Sequence, residues 1–271
     1  VYASTFASVA RISSQKKEFF AYLYATEENG TLIYKSVFFD CDLLDEADFI
    51  IAASDASIKN GSTRGSLSSL GSIIRRCAEL AIAAKLIDAP KKEGMIVLDG
   101  SLQGLHTVES KFLAALYDKA IASKTVICAL SKTSQLLSSK GSSIVSHLNA
   151  HAPNGPWICH PLCILTDKNY RAYLSFVKLH PKSSYVFKFE IYGEQKGLLM
   201  QATNALAYYC SDPIFLGYPY GLIEADQRAR ISNEEKGYLQ LHAKLLLGKD
   251  WKHVEEEMHM HDAHDILDSM R

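Results

Sequence analysis

The chain has no apolar run long enough to cross a bilayer, no tandem repeat, no low-complexity linker and no surplus of charge of either sign. Each absence narrows the function. Without an apolar span of about 20 residues no membrane helix is expected. The opening stretch from Val1 to Lys17 also lacks the apolar core of a secretion signal, so the cytoplasm is the expected compartment, with no membrane partner. Lys and Arg total 29 against 30 Asp and Glu, a formal charge of -1, so no global positive field draws in nucleic acid and any contact with a polyanion must come from local patches. Six cysteines are scattered at Cys41, Cys77, Cys128, Cys159, Cys163 and Cys210. The close pair Cys159 and Cys163 has no second pair to complete a zinc site, and reduced, partly buried thiols are the expectation. The phosphate-cradling Gly-x-x-x-x-Gly-Lys and the dinucleotide fingerprint are both missing, so nucleotide hydrolysis would belong to a partner.

What is present is a chain of 271 residues, 48% hydrophobic, which can bury a sizeable core and reads as one domain over its whole length. Phe19 to Tyr24 and Thr31 to Phe39, separated by the turn-forming Asn29-Gly30, read as a hairpin. Phe49 to Ser54 is a short apolar run ending in Asp55, the pattern of a strand buried on both faces with a polar residue at its carboxyl end. Ala56 to Gly71, rich in Ser, Gly and Lys, reads as a loop, and Ser72 to Ile87 as a helix stopped by Asp88-Ala89-Pro90. Gly94 to Leu98 repeats the strand signature and delivers Asp99, followed by Gly100-Ser101. After a helix near Ser110 to Ser123, Thr125 to Leu130 is a third buried strand, with Ser131-Lys132-Thr133 at its exit. Arg171 to Leu179 and Ser184 to Tyr192 alternate as half-buried antiparallel strands joined at His180-Pro181. Gly197 to Tyr209 is predicted helical, Gly217 to Tyr220 a tight turn, Leu222 to Ile231 a helix with Asp226, Arg228 and Arg230, and the chain from Asn233 a polar helical tail. His259, His261 and His264 in that tail read as solvated residues rather than as a metal site. The fold class is α/β.

The chemistry centres on the strand-end aspartates. Hard cations such as Mg²⁺ and Mn²⁺ need several carboxylate oxygens fixed on rigid elements, and two neighbouring strands ending in Asp55 and Asp99 would supply them. Ions held there activate water and stabilise the leaving oxygen of a phosphodiester. Glu79, on the predicted helix one turn after Arg75 and Arg76, is a candidate third ligand. Lys132 is placed to neutralise a phosphate as a point charge. Arg64, Tyr218 and Arg228 are candidate DNA contacts, Tyr218 by stacking on a base or bonding a phosphate.

The order of these segments resembles the NurA family over most of the chain. The resemblance runs through Ala52-Ala53-Ser54-Asp55-Ala56-Ser57, then Leu98-Asp99-Gly100-Ser101-Leu102 and Ser131-Lys132-Thr133. It ends in Tyr218-Pro219-Tyr220-Gly221-Leu222-Ile223-Glu224-Ala225-Asp226 with Arg228, Ala229 and Arg230 after it. It implies a ribonuclease H-like mixed β-sheet core flanked by helices. It also implies a Mn²⁺- or Mg²⁺-dependent deoxyribonuclease, a 5′ to 3′ exonuclease with endonuclease action as a further expectation, working in end resection and double-strand break repair. A homodimer and a HerA-type hexameric ATPase as partner are implied with it. By position, Asp55 and Asp99 match the metal-binding aspartates, Glu79 matches the helix-borne acid between them, and Asp226 stands where some members have histidine, as a ligand or an orienter of water. The alternative reading is a weakly catalytic or non-catalytic regulatory subunit of a DNA-translocating ATPase.

Overall fold

A computed structural model describes residues 3–7, 21–28, 31–38, 44–45, 47–48, 51–52, 54–55, 63–87, 94–160, 170–229 and 232–252. The Asn29-Gly30 turn, the Asp88-Ala89-Pro90 stop, Cys41, Cys163, Arg230 and the C-terminal histidines lie outside the described residues. The chain divides into two compact units, one of Val1–Ile82, His106–Glu109 and Arg228–Arg271 and one of Ala83–Leu105 and Ser110–Gln227.

The second unit is built on a five-stranded mixed sheet. Its strands are β4 (Met95–Asp99), β5 (Val126–Ser131), β6 (Trp157–Cys159), β7 (Ala172–Lys178) and β8 (Phe187–Tyr192), in the order β4-β5-β8-β7-β6. β4 and β5 run parallel with Asp99 opposite Leu130, and all the other pairings are antiparallel. The parallel pair needs a crossover, and the helix α2 (Thr107–Ser123) occupies it. β5 sits second in the order and is buried at every position but its first, which is why its sequence reads as a continuous apolar run rather than an alternation. Its lower end is completed by a side chain. The amide oxygen of Gln195 accepts the Ile127 N–H at 2.9 Å, and its Nε2 donates to the Thr125 carbonyl at 2.7 Å. Leu130, Phe187, Phe189 and Ile191 of the sheet pack in one core with Leu199 and Leu206 of α4 (Leu199–Tyr208) and Leu222 of α5 (Tyr220–Ala229). Burying each such side chain contributes about 1.5–3 kcal/mol before chain entropy is counted. Elsewhere in the unit Tyr117 and Tyr192 stack at 4.0 Å, with the Arg171 guanidinium 5.5 and 5.3 Å from the two ring centres. The helix α3 (Ile144–His151), capped by the Ser143 hydroxyl on the Ser146 N–H, and the short β6 had no counterpart in the sequence reading.

The first unit contains the antiparallel meander β1 (Ala3–Ala7), β2 (Ala21–Glu28) and β3 (Thr31–Phe38), in agreement with the expected hairpin. It also contains most of α1 (Thr63–Ile87), and α6 (Asn233–Leu247) with the 3-10 turn Gly248–Asp250. Two sequence expectations are corrected here. Ile51, Ala52, Ser54 and Asp55 are helical, so Asp55 does not end a strand. The reason lies upstream. The Asp48 N–H donates to the Asp45 carboxylate at 2.8 Å and the Asp45 N–H to the Asp48 carboxylate at 3.3 Å. That reciprocal pair is a capping box, which starts a helix just before an apolar run. The expected loop from Ala56 to Gly71 is helical from Thr63 onward, because the apolar spacing of Leu67, Leu70, Ile74 and Cys77 already follows the helical period.

Among the described residues no helix is long and apolar enough to cross a membrane. The described cysteines Cys77, Cys128, Cys159 and Cys210 are free thiols. Burial pushes Cys128 and Cys210 up to about 12. Cys77 is raised by burial first, and also by the charges of Glu109, Asp48 and Asp55 against the opposing Arg76. Since the thiolate is the reactive form, iodoacetamide at neutral pH is expected to label Cys159 in the folded protein and to spare Cys77, Cys128 and Cys210 until denaturant is added. Site-resolved mass spectrometry checks this, and equal labelling of all four in native buffer would contradict the packing.

Candidate active site

The parallel strands β4 and β5 finish at one edge of the sheet, and their exits are tied together. Gly100 turns the chain off β4 at φ +128 and donates its N–H to the Leu130 carbonyl at 3.1 Å, while the Ser131 hydroxyl donates to the Gly100 carbonyl. Asp99 is therefore the last residue of a pinned strand, and Lys132 is the first residue beyond its neighbour. The Lys132 Nζ lies 2.9 Å from Asp99 Oδ2 and 3.5 Å from Asp226 Oδ1, so one ammonium bridges two carboxylates. The Tyr218 hydroxyl donates to the other Asp99 oxygen, Oδ1, at 3.2 Å, and the Lys132 ammonium stands 5.3 Å from the Tyr218 ring centre. The side chains of Lys132, Asp99 and Asp226 keep 37%, 41% and 38% of their surface exposed, so the cluster is open to a ligand.

The approach of Tyr218 and Asp226 depends on a tight turn. Gly217 has φ +95, and a Cβ there would sit 2.3 Å from the Ser183 hydroxyl oxygen, so only glycine fits. The turn is closed by the Gly217 N–H on the Cys210 carbonyl at 2.8 Å and leads into α5, which carries Asp226. The Tyr218 ring is 1% exposed and stacks on Phe215 at 4.8 Å. It has no free face for a base, which corrects the expectation that Tyr218 stacks on DNA. Its hydroxyl is what reaches the site.

Beneath the edge lies a carboxylate the sequence reading missed. Glu190, on β8, is fully buried. It pairs with the Lys188 ammonium at 2.7 Å and accepts hydrogen bonds from the Ser101 hydroxyl at 3.0 and 2.9 Å, the Leu102 N–H and the Tyr170 hydroxyl. These bonds hold the chain that follows Asp99. In Phe187–Tyr192 the alternation of Phe187, Phe189 and Ile191 suggests that Lys188 and Glu190 face solvent, and period-two patterning carries no sign that this second face is covered.

The other sequence candidates have partners of their own. Asp55 Oδ2 accepts the Val108 N–H at 3.1 Å in the first turn of α2, where the helix dipole favours an anion. Glu79 pairs with Arg76 at 3.1 Å along α1. Both belong to the first unit, whereas Asp99, Lys132, Tyr218 and Asp226 belong to the second. Arg64 and Arg228 lie in α1 and α5, and their side chains are outside the described residues. Among the described residues no group of three or more His, Cys, Asp or Glu side chains is arranged to hold a metal ion. The donors in the cluster are nonetheless of the right kind. Two carboxylates already converge on one cationic group, and a Mg²⁺-like ion is commonly held by one or two carboxylates with waters completing the shell.

The charge states follow from the geometry. Burial by itself lowers the Lys132 pKa, but the hydrogen bond and charge of Asp99, reinforced by Asp226, outweigh it and hold the lysine above its ordinary value. Tyr218 is raised by burial and by the charges of Asp99 and Asp226, so it remains a protonated donor.

No family model matches the sequence, and no curated protein matches it. Among solved structures the chain is similar to the NurA nuclease from Sulfolobus solfataricus, at 12% identity and a TM-score of 0.51, over 92% of this chain and 84% of that one. Endonuclease V from Ciona intestinalis, in complexes with inosine-containing DNA, matches with TM-scores of 0.34 and 0.35 at 14% and 12% identity. Those matches cover 84% and 88% of this chain and 84% and 86% of the other. The fold is the ribonuclease H-like fold of the NurA nuclease, a mixed sheet flanked by helices.

Two outcomes are expected. Glu190→Ala strands the Lys188 charge and three further donors in the interior and should cost about 3–5 kcal/mol in urea unfolding, with Glu190→Gln costing less. Lys132, whose folded pKa is raised, contributes stability that is fully present below the unfolded lysine value and is lost as pH rises through the folded one. The difference in melting temperature between the native protein and Lys132→Met should therefore be small, the pair being half-exposed, and constant from pH 6 to 9, shrinking only at more alkaline pH.

Proposed function

We propose that this chain is a metal-dependent DNA nuclease whose chemistry is centred on Asp99, Lys132 and Asp226. The observation that carries this reading is the convergence of two carboxylates and one ammonium at the shared exit of two parallel strands, where open α/β sheets place their ligands. The fold it shares with the NurA nuclease supports the same reading.

In this reading Asp99 and Asp226 hold Mn²⁺ or Mg²⁺. The cation, when bound, supplies Lewis acidity at a phosphodiester oxygen and lowers the pKa of water. The protein's own groups do the rest. The Tyr218 hydroxyl, kept protonated, fixes Oδ1 of Asp99, so Oδ2, which faces the Lys132 ammonium, is the oxygen that would ligate. Lys132 keeps its proton through the neutral range and meets the charge of the scissile phosphate. Arg64 and Arg228 are proposed contacts to the DNA backbone. The finer reading takes its support from the ordered motifs of the sequence. It comprises 5′ to 3′ exonuclease action in end resection and double-strand break repair, a homodimer, and a HerA-type hexameric ATPase as partner.

The test is degradation of end-labelled single- and double-stranded DNA with Mn²⁺, with Mg²⁺ and with chelator. The native protein should release label only with the cations, and Asp99→Ala, once shown to fold, should be slower by about a hundredfold or more. Tyr218→Phe should keep the fold and lose a smaller share of the rate, because the ring remains packed and only the hydroxyl bond to Asp99 is gone. A native protein that cleaves no DNA under any of these conditions, alone or with a translocase, would leave a regulatory subunit as the better account.

A further inference from the structure

One oxygen of Asp99 is held by Tyr218 and the other by Lys132. The Tyr218 hydroxyl bonds to Oδ1 at 3.2 Å, and the Lys132 ammonium stands 2.9 Å from Oδ2. The same ammonium lies 3.5 Å from Asp226 Oδ1, so it spans both carboxylates that the proposed cation would use. An ammonium and a divalent cation carry like charge, and they compete for Oδ2. The strand exits cannot move aside to admit both. The Gly100 N–H is bonded to the Leu130 carbonyl at 3.1 Å, and the Ser131 hydroxyl is bonded to the Gly100 carbonyl, so the backbone next to Asp99 and Lys132 is pinned. What can move is the lysine side chain, a compact charge on a flexible four-carbon stem with 37% of its surface exposed. Lys188 has no such freedom, its partner Glu190 being fully buried.

We propose that Lys132 is a placeholder for the divalent cation: it holds the two carboxylates until a phosphate draws its ammonium away, so that cation and phosphodiester load together rather than independently. The inference rests on the nuclease reading and adds the regulation of its site. Charge counting gives the linkage its sign. Two carboxylates and one ammonium leave the trio at -1, and a divalent cation added to them brings it to +1. An anion beside the cluster relieves that excess, and a phosphate oxygen gives the released ammonium a charged hydrogen-bond partner in place of Asp99. Each ligand therefore raises the affinity for the other by the same factor. A cation that arrives alone has to expel the lysine without that help, so the site is loaded weakly until a phosphate is present.

The experiment is calorimetric titration of Mn²⁺ into the native protein and into Lys132→Met, each with and without thymidine 3′,5′-bisphosphate, which carries phosphates but no internucleotide bond to cleave. The heat of Mn²⁺ binding to the nucleotide alone is subtracted. Without nucleotide, Lys132→Met should bind Mn²⁺ about tenfold more tightly than the native protein, because nothing has to be expelled. The nucleotide should tighten Mn²⁺ binding by the native protein at least about fivefold more than it tightens binding by the variant. Lys132→Arg, which keeps the charge, should bind Mn²⁺ no more tightly than the native protein. Adding Asp99→Asn to Lys132→Met should abolish the gain, which assigns it to this site. A Lys132→Met protein that folds and binds Mn²⁺ as the native one does, or more weakly, overturns the placeholder. So does a nucleotide effect of equal size in the two proteins. If either result comes with cation-dependent cleavage by the native protein, the nuclease reading stands and Lys132 serves the phosphate alone. If neither protein binds Mn²⁺ and the native one cleaves no DNA, the nuclease reading falls and the placeholder with it.

Discussion

The second unit is arranged around a carboxylate that water cannot reach. A buried charge left unpaired costs several kcal/mol, so Glu190 has to be surrounded by donors. It takes them from β8 itself through Lys188, from the segment before β7 through Tyr170, and from the chain leaving β4 through Ser101 and Leu102. Satisfying one group thus fixes the path of three separate stretches of chain. The stretch after β4 matters most, because the residue before Gly100 is Asp99. Its carboxylate is aimed by a backbone that cannot shift without breaking hydrogen bonds to a buried carboxylate.

A second lysine stands against two other carboxylates a short way up the same edge, and the contrast between the two networks is instructive. Lys188 keeps 15% of its side chain exposed and its partner none, whereas Lys132 and its partners remain roughly two-fifths exposed. The chemistry is the same and the energetics differ. The buried pair is costly to break and useless to a ligand. The exposed pair contributes little to stability, and its members can trade partners at small cost when a phosphate or a cation arrives. The fold places the rigid network underneath and the exchangeable one above it, linked by Ser101, which bonds to Glu190 and follows Asp99 by two residues.

Much of this could be read from the residues. The apolar run that became β5, the alternation in β7 and β8, and the placing of Asp99 and Lys132 each at a strand exit follow from hydrophobic patterning alone. Tyr218 and Asp226 were picked out by the order of motifs rather than by pattern, and the structure brings both to Asp99 and Lys132. The misreading at Asp55 came from treating Phe49 to Ser54 as a strand on composition while passing over Asp45 and Asp48, whose spacing announces a helix. Glu190 was illegible for a different reason. Nothing within a strand tells which of its two faces another layer will cover, so a residue that binds four groups looks like an ordinary solvent-facing acid.

The turn at Gly217 sets a limit on how this sequence can drift. Its positive φ and the Ser183 side chain pressed against it mean that neither position is free to vary alone. A larger residue at 183 would push on the turn, and through it on Tyr218 and the start of α5. Among distant relatives at the 12% level of identity, these two small residues, 34 positions apart, should be found changing together or not at all.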